Sequence, residues 1–296
     1  MRIIIFALLL LLTVSCSKNI EIEQPYYEPK IVVDGWIAEG GFANIYLTKS
    51  SPFLTNYDSA SIRATFVNYA KLTVSNSKGQ SEILTLFRKE QFFPPFVYKT
   101  TQLRGEVGET YHLKIEVEGK VITSTTTIPD LPNVTNIVTE EVSDTTMNIE
   151  VEVQDEASIN NYYYSEIKVQ SWDSIFHPSS LPLTRDTEFN GKEGLIRIYR
   201  SSQPDPLNIY NIESHRNLPL YEFSQKDTAF LKFSCVDASS FHVLNDIYLD
   251  GVNSSNPFAF VNKKTGTNIS GGIGRWTGLA TKYFVISKED VVWSNR

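Results

Sequence analysis

The stretch from Glu109 to Pro129, ETYHLKIEVEGKVITSTTTIP, leaves the chain little freedom. Tyr111, Leu113, Ile115 and Val117 alternate with polar residues, Glu118-Gly119-Lys120 turns the chain, and a Thr-rich strand returns. Successive side chains of a strand point to opposite faces, so this pattern puts one face on a core and the other toward water. A helix would need its apolar residues three and four apart. Similar β-rich runs appear earlier: KIVVDGWI and ANIYLTKS flank the turn cluster Glu39-Gly40-Gly41, and AKLTVSNSKGQSEILTLF reads as two strands around Ser77-Lys78-Gly79. About seven short strands with frequent turn signals predict an immunoglobulin-like β-sandwich over residues 30–129. Pro129-Asp130-Leu131-Pro132 ends it, because proline cannot donate to a central ladder.

Residues 133–296 predict a second antiparallel β domain. Met147, Ile149, Val151 and Val153 alternate, and YYYSEIKVQSW, GLIRIYR, TAFLKFSCVD and KYFVIS supply further strands, while residues 173–194 read as a loop. One helix is predicted over 239–249, where Phe241, Leu244, Ile247 and Tyr248 share a face. Asp237 or Ser239 suits its start and Gly251 its end. A long loop over residues 250–278 precedes the final strand. The fold class expected is therefore mainly β.

The N-terminus predicts a location. Arg2 precedes the apolar run Ile3–Leu12, which is too short to span a bilayer but suits the core of a secretory signal over residues 1–15. The run closes on Thr13-Val14-Ser15-Cys16, which resembles a bacterial lipobox, with Cys16 carrying the lipid anchor. An ordinary signal peptide with an incidental cysteine is the alternative. Acyl chains contribute about 0.8 kcal/mol per buried CH₂, so two or three, palmitate-like, hold a soluble domain on a membrane. Residues 16–29 form a tether in which Glu21 and Glu23 resemble an export signal to the outer face of the outer membrane. Localisation is thus expected at the outer membrane, through the lipid, with surface exposure favoured over a periplasm-facing orientation.

Removing residues 1–15 leaves 281 of 296, enough for two domains. A net charge of −7 without any basic stripe argues against nucleic acid as a partner. Cys235 is the one cysteine beyond Cys16, so no intrachain disulfide is expected, and its place on the Ala229-Leu231-Phe233 face predicts a buried thiol.

Several segments together carry a family likeness: the lipobox cysteine, PKIVVDGWI, LRGEVGETYHLKIEVEGK, TTTIPDLP, and NPF followed by TNISGGIGRWTG. The chain resembles the Bacteroidota lipoprotein family known as domain of unknown function 4249. The resemblance implies an exported two-domain β protein, often encoded beside a TonB-dependent outer-membrane transporter. It assigns no site, since the family's role is not established.

Catalytic patterns are absent from the sequence. The histidines His112, His177, His215 and His242 lack partners at metal-ligand spacing, and there is no HExxH, G-x-S-x-G or P-loop. No metal, cofactor or enzyme activity is expected; a hydrolase would need carboxylates brought together by folding. Two aromatic groups are candidate ligand or partner contacts: Phe92, Phe93 and Phe96 around two prolines, and Trp172 with Phe258, Phe260 and Trp276, beside the strand tyrosines Tyr162, Tyr163 and Tyr164, for which core packing is favoured. Core filling is the competing role for each. The resulting expectation is a non-catalytic, membrane-anchored accessory of a transporter whose ligand is undefined, with an adhesive surface protein as the alternative.

Overall fold

A computed structural model describes residues 27–52, 58–91, 93–170, 172–200, 222–253 and 266–294. In chain order the first half contains β1 (Ile31–Ala38), β2 (Phe42–Lys49), the short helix α1 (Ser59–Ala64), β3 (Lys71–Asn76) and β4 (Ser81–Ile83). It continues with β5 (Thr85–Arg88), β6 (Phe96–Arg104), β7 (Thr110–Val117) and β8 (Lys120–Thr127). The second half contributes β9 (Val134–Glu141), β10 (Thr146–Gln154), β11 (Tyr162–Val169), β12 (His177–Arg185) and β13 (Glu193–Ile198). It ends with β14 (Phe223–Ser224), β15 (Ala229–Cys235), the helix α2 (Ala238–Asn253), β16 (Ile273–Ile286) and β17 (Val291–Ser294). The fold is mainly β, as the alternation predicts.

The β7–β8 hairpin forms as expected: Val117 pairs with Lys120, and Glu118 and Gly119 take φ of 51° and 72°. Positive φ at both turn residues matches the right-handed twist of the flanking strands. Tyr111, Leu113, Ile115 and Val117 are all buried. The predicted pair around residues 77–79 also forms, but its return strand breaks at Leu84. Residues before the break pair with β3 and those after it with β6, so one stretch of chain serves two sheets.

The architecture is built on a nine-stranded sheet in the order β12-β11-β15-β16-β1-β2-β6-β5, with β17 also on β16. Two four-stranded sheets, β4-β3-β7-β8 and β13-β10-β14 with β9 on β10, complete it. The two halves meet in the large sheet. Residues 32–38 of β1 run parallel to 273–279 of β16, and residues 280–286 of β16 then run antiparallel to β15. One buried apolar cluster extends from Ile31 to Ile286 and includes residues of all three sheets. The expected boundary at Pro129–Pro132 therefore marks where the chain passes between halves that share a sheet and a core.

Three further differences have local causes. Residues 173–194, expected as a loop, contain β12; its Pro178 and Pro182 are tolerated because β12 lies at the sheet edge, where a missing N–H costs no ladder bond. The expected long loop of 250–278 gives way to strand at Ile273. There, glycines mask the alternation for a packing reason: a Cβ at Gly274 would lie 2.0 Å from the Val33 carbonyl oxygen, and one at Gly278 would lie 2.6 Å from that of Thr127. Finally, α2 continues past Gly251 to Asn253, whereas Asp237 caps its start as foreseen, its Oδ1 accepting the Ser240 N–H at 2.7 Å.

Candidate binding cavity

The outer face of the large sheet holds the candidate site. Along β1, Val33, Gly35 and Ile37 point into the core, so Val32, Asp34 and Trp36 point outward. Parallel pairing sets Ile273 beside Val32, Arg275 beside Asp34 and Thr277 beside Trp36. Asp34 and Arg275 form an ion pair, Nε to Oδ1 at 2.6 Å, with side chains 51% and 21% exposed. Helix α2 crosses this face. Phe241 and Leu244 seal against Tyr164, Val236 and Leu279 in a second apolar cluster.

Beyond that seal lies a half-open cavity of about 710 Å³. Val32 and Ile273 form its sheet side, Leu244, Ile247 and Tyr248 its helix side, and Pro178 and Pro182 its end on β12. Tyr248 is fixed in place by its hydroxyl, which donates to the Ser180 carbonyl. Asp34, Arg275 and Tyr164 supply polar groups to the wall, and Tyr27 and Lys30 add to it from the start of the described chain. Ile247 is 39% exposed although it lies on the apolar stripe of the helix. A cavity of this size with apolar walls and few polar groups has the anatomy of a small-molecule site.

Electrostatics hold Tyr164 and Arg275 each in one state. Burial, reinforced by the Glu166 charge, pushes the Tyr164 hydroxyl far above its usual value, so it remains a neutral donor. Burial works against the Arg275 charge, but Asp34 and Tyr164 more than offset it and raise its pKa further. A smaller hollow of about 110 Å³ shares Tyr164 and Arg275 and adds Glu166 and Lys232. Among the described residues lining the larger cavity there is no histidine, cysteine or serine, and no described group of three or more His, Cys, Asp or Glu side chains could hold a metal ion.

Two other hollows differ in character. One of about 370 Å³ includes Glu82, whose carboxylate accepts the backbone N–H groups of Thr101, Gln102 and Leu103 at 2.6, 3.1 and 2.7 Å. Those bonds make it a structural brace. The other, of about 410 Å³, is a shelf of Phe42 and Phe87 flanked by Lys89 and Lys99. Arg104 stacks over Phe42 at 4.0 Å, and burial followed by the Lys89 charge lowers the Lys99 pKa.

Those of the aromatic residues singled out from sequence that are described do not converge. Phe93 is 52% exposed and, with the half-buried Phe96, packs around Phe66 at ring distances of 5.8 and 6.3 Å. Trp172 lies half-buried in the other half, with the Arg200 guanidinium 5.4 Å above its ring. Trp276 is a correction: it is fully buried, donates its indole N–H to the Tyr111 carbonyl at 3.1 Å, and packs against Gly35, so it is core. Cys16, Phe92, Phe258 and Phe260 lie outside the described residues. Tyr164 belongs to the strand tyrosines noted from sequence, whereas Asp34, Ile247 and Arg275 escaped sequence reasoning; the signal was a lone acid in one apolar strand and a lone base in a glycine-rich one.

A family model described as domain of unknown function (DUF4249) matches residues 17–273. No curated protein matches the chain. Among solved structures, a DUF4785 family protein from Legionella pneumophila is similar at 12% identity and a TM-score of 0.23. The match covers 69% of this chain and 52% of that one, so the chain spans about half the length of that structure.

Proposed function

From a chain that belongs to the DUF4249 family, a domain of unknown function, we propose a non-catalytic lipoprotein, held on the outer membrane by acyl groups on Cys16, that binds a ligand and partners a TonB-dependent transporter. The observation that carries the binding role is the 710 Å³ cavity under α2. Its walls offer apolar contact, a neutral tyrosine donor and an ion pair, which are groups of recognition and not of bond-breaking. The location is supported by the charged start, the short apolar run and the Thr13-Val14-Ser15-Cys16 junction. The transporter partnership rests on the resemblance set out from the sequence.

The test is a mild-detergent pull-down of C-terminally tagged protein from outer membranes, with Cys16→Ala as control. Recovery of a large β-barrel transporter, lost with the anchor, is the expected result. Recovery of the lipidated chain alone would favour adhesion at the cell surface. That second reading draws on the Phe42 and Phe87 shelf, where Lys89 and Lys99 set two cations beside aromatic surface in a chain of net charge −7.

A further inference from the structure

The position and charge of the cavity narrow its ligand. Lys30 and Asp34 are four residues apart on or beside β1, so the wall between them runs about 13 Å at roughly 3.3 Å per residue. The two ends of that run are polar and its middle is apolar, through Val32 and Ile273 on the sheet and Leu244 and Ile247 on the helix. Two cations, Lys30 and Arg275, face one carboxylate, Asp34, and Asp34 is already paired to Arg275. Asp246 adds a carboxylate, its Oδ2 beside the lining residue Gly266, while Lys30 has no ion-pair partner among the described residues, in a chain whose net charge is −7.

The tether adds a second constraint. Tyr27, on the cavity wall, follows Cys16 by eleven residues. Eleven residues span at most about 40 Å, so an anchor at Cys16 keeps this end of the cavity near the bilayer surface, where single-chain amphiphiles are most concentrated.

We infer that the cavity binds a single-chain, monoanionic amphiphile, its apolar body between Ile247 and Ile273 and its head at Lys30. This deepens, and rests on, the reading of the cavity as the ligand site of an anchored protein. A wall with one apolar run, and one cation unpaired among the described residues, matches one acyl chain and one acid group.

The test uses the full chain carrying Cys16→Ala, purified without detergent so that no added amphiphile competes. Titration with 11-(dansylamino)undecanoic acid should show saturable one-site binding, displaced by n-alkanoates. Affinity should rise about fourfold per methylene until the apolar run is filled, the factor expected for each buried CH₂. Ile247→Arg should weaken binding at least tenfold, and its partial exposure lets the arginine be accommodated without unfolding. Lys30→Gln should erase the preference for an alkanoate over the alcohol of equal length, and Phe87→Ala should change nothing. Absence of saturable binding, or binding indifferent to both Ile247→Arg and Lys30→Gln, overturns the inference. So does displacement by phosphatidylglycerol vesicles as effective as by palmitate, which would indicate a diacyl ligand. Transporter recovery is measured on membranes with the unaltered chain, so failure here leaves that result standing and the reverse also holds.

Discussion

Asp237 ties α2 to β8 and, through Thr126, to β16, which makes its removal a sharp test of how the halves are held. Its Oδ1 caps α2, while its Oδ2 accepts the Thr127 N–H at 2.9 Å and the Thr126 hydroxyl at 2.6 Å, both from β8. Thr126 Oγ1 in turn accepts the Gly278 N–H of β16 at 2.7 Å. Losing an N-cap costs about 1 kcal/mol. Each of the two bonds from β8 reaches an ionised acceptor in a part-buried position, worth about 1 kcal/mol after screening. Asp237→Ala should therefore destabilise the chain by about 3 kcal/mol. Asp237→Asn can keep its oxygen on Ser240 but turns an amide nitrogen toward two donors, so it should lose about 2 kcal/mol. Urea unfolding at constant slope reads both values. Hydrogen exchange then locates the effect: protection should fall in residues 120–127 of β8 for both variants, and in residues 238–253 of α2 mainly for alanine. A cost below about 1 kcal/mol for Asp237→Ala, or exchange that rises in α2 alone, would refute the clamp.

Other perturbations test separate features. Burial pushes the Glu82 carboxyl up, but the N–H groups of Leu103 and Thr101 more than offset it and hold it below the usual range. A depressed pKa stabilises the fold above the unfolded value and is lost as pH falls through the folded one, so Glu82→Gln should cost about 1 kcal/mol at neutral pH, a deficit that shrinks toward zero in acid urea titrations. Burial, aided by the Asp130 charge, pushes the Cys235 thiol up to about 12; in the Cys16→Ala chain it should resist iodoacetamide at mildly alkaline pH and react fully in urea, as read by mass spectrometry. Asp227 pairs with Arg200 at 2.8 Å with both side chains about 5% exposed. Asp227→Ala should cost about 3–5 kcal/mol in thermal or urea unfolding, and the double change Asp227→Leu with Arg200→Met markedly less, because the latter strands no charge.

Much of the fold is legible because its causes are local. The β7–β8 hairpin announces itself through Tyr111 to Val117 and a turn of residues that accept positive φ, and Cys235 declares its face through Ala229, Leu231 and Phe233. The helix is visible in Phe241 and Leu244, although the same stripe gives no sign that Ile247 borders a cavity. The site is hidden because its chemistry comes from register across the whole chain. Asp34 faces Arg275 only once β1 pairs with β16, and the glycines that permit that approach are the residues that make β16 read as a loop. Aromaticity misled at Trp276 for a related reason: flanking glycines resemble a binding loop in sequence, yet in the fold they let the strand approach the Val33 and Thr127 carbonyls, and the missing Cβ of Gly35 leaves room for the ring.

The parallel pairing of β1 with β16 also sets an order of events. As the chain emerges, β1 can find β2 at once across a turn of a few residues, but its other edge has no neighbour until Ile273–Leu279 has been made. Contacts so distant in sequence form late, because the intervening chain must be ordered before the closure is rewarded. Through most of biogenesis the first strand thus presents an open ladder of N–H and C=O groups, the kind of edge that recruits foreign strands. A message truncated before β16 would leave a sticky half-sandwich. Completion of the last long strand is what makes the first one safe.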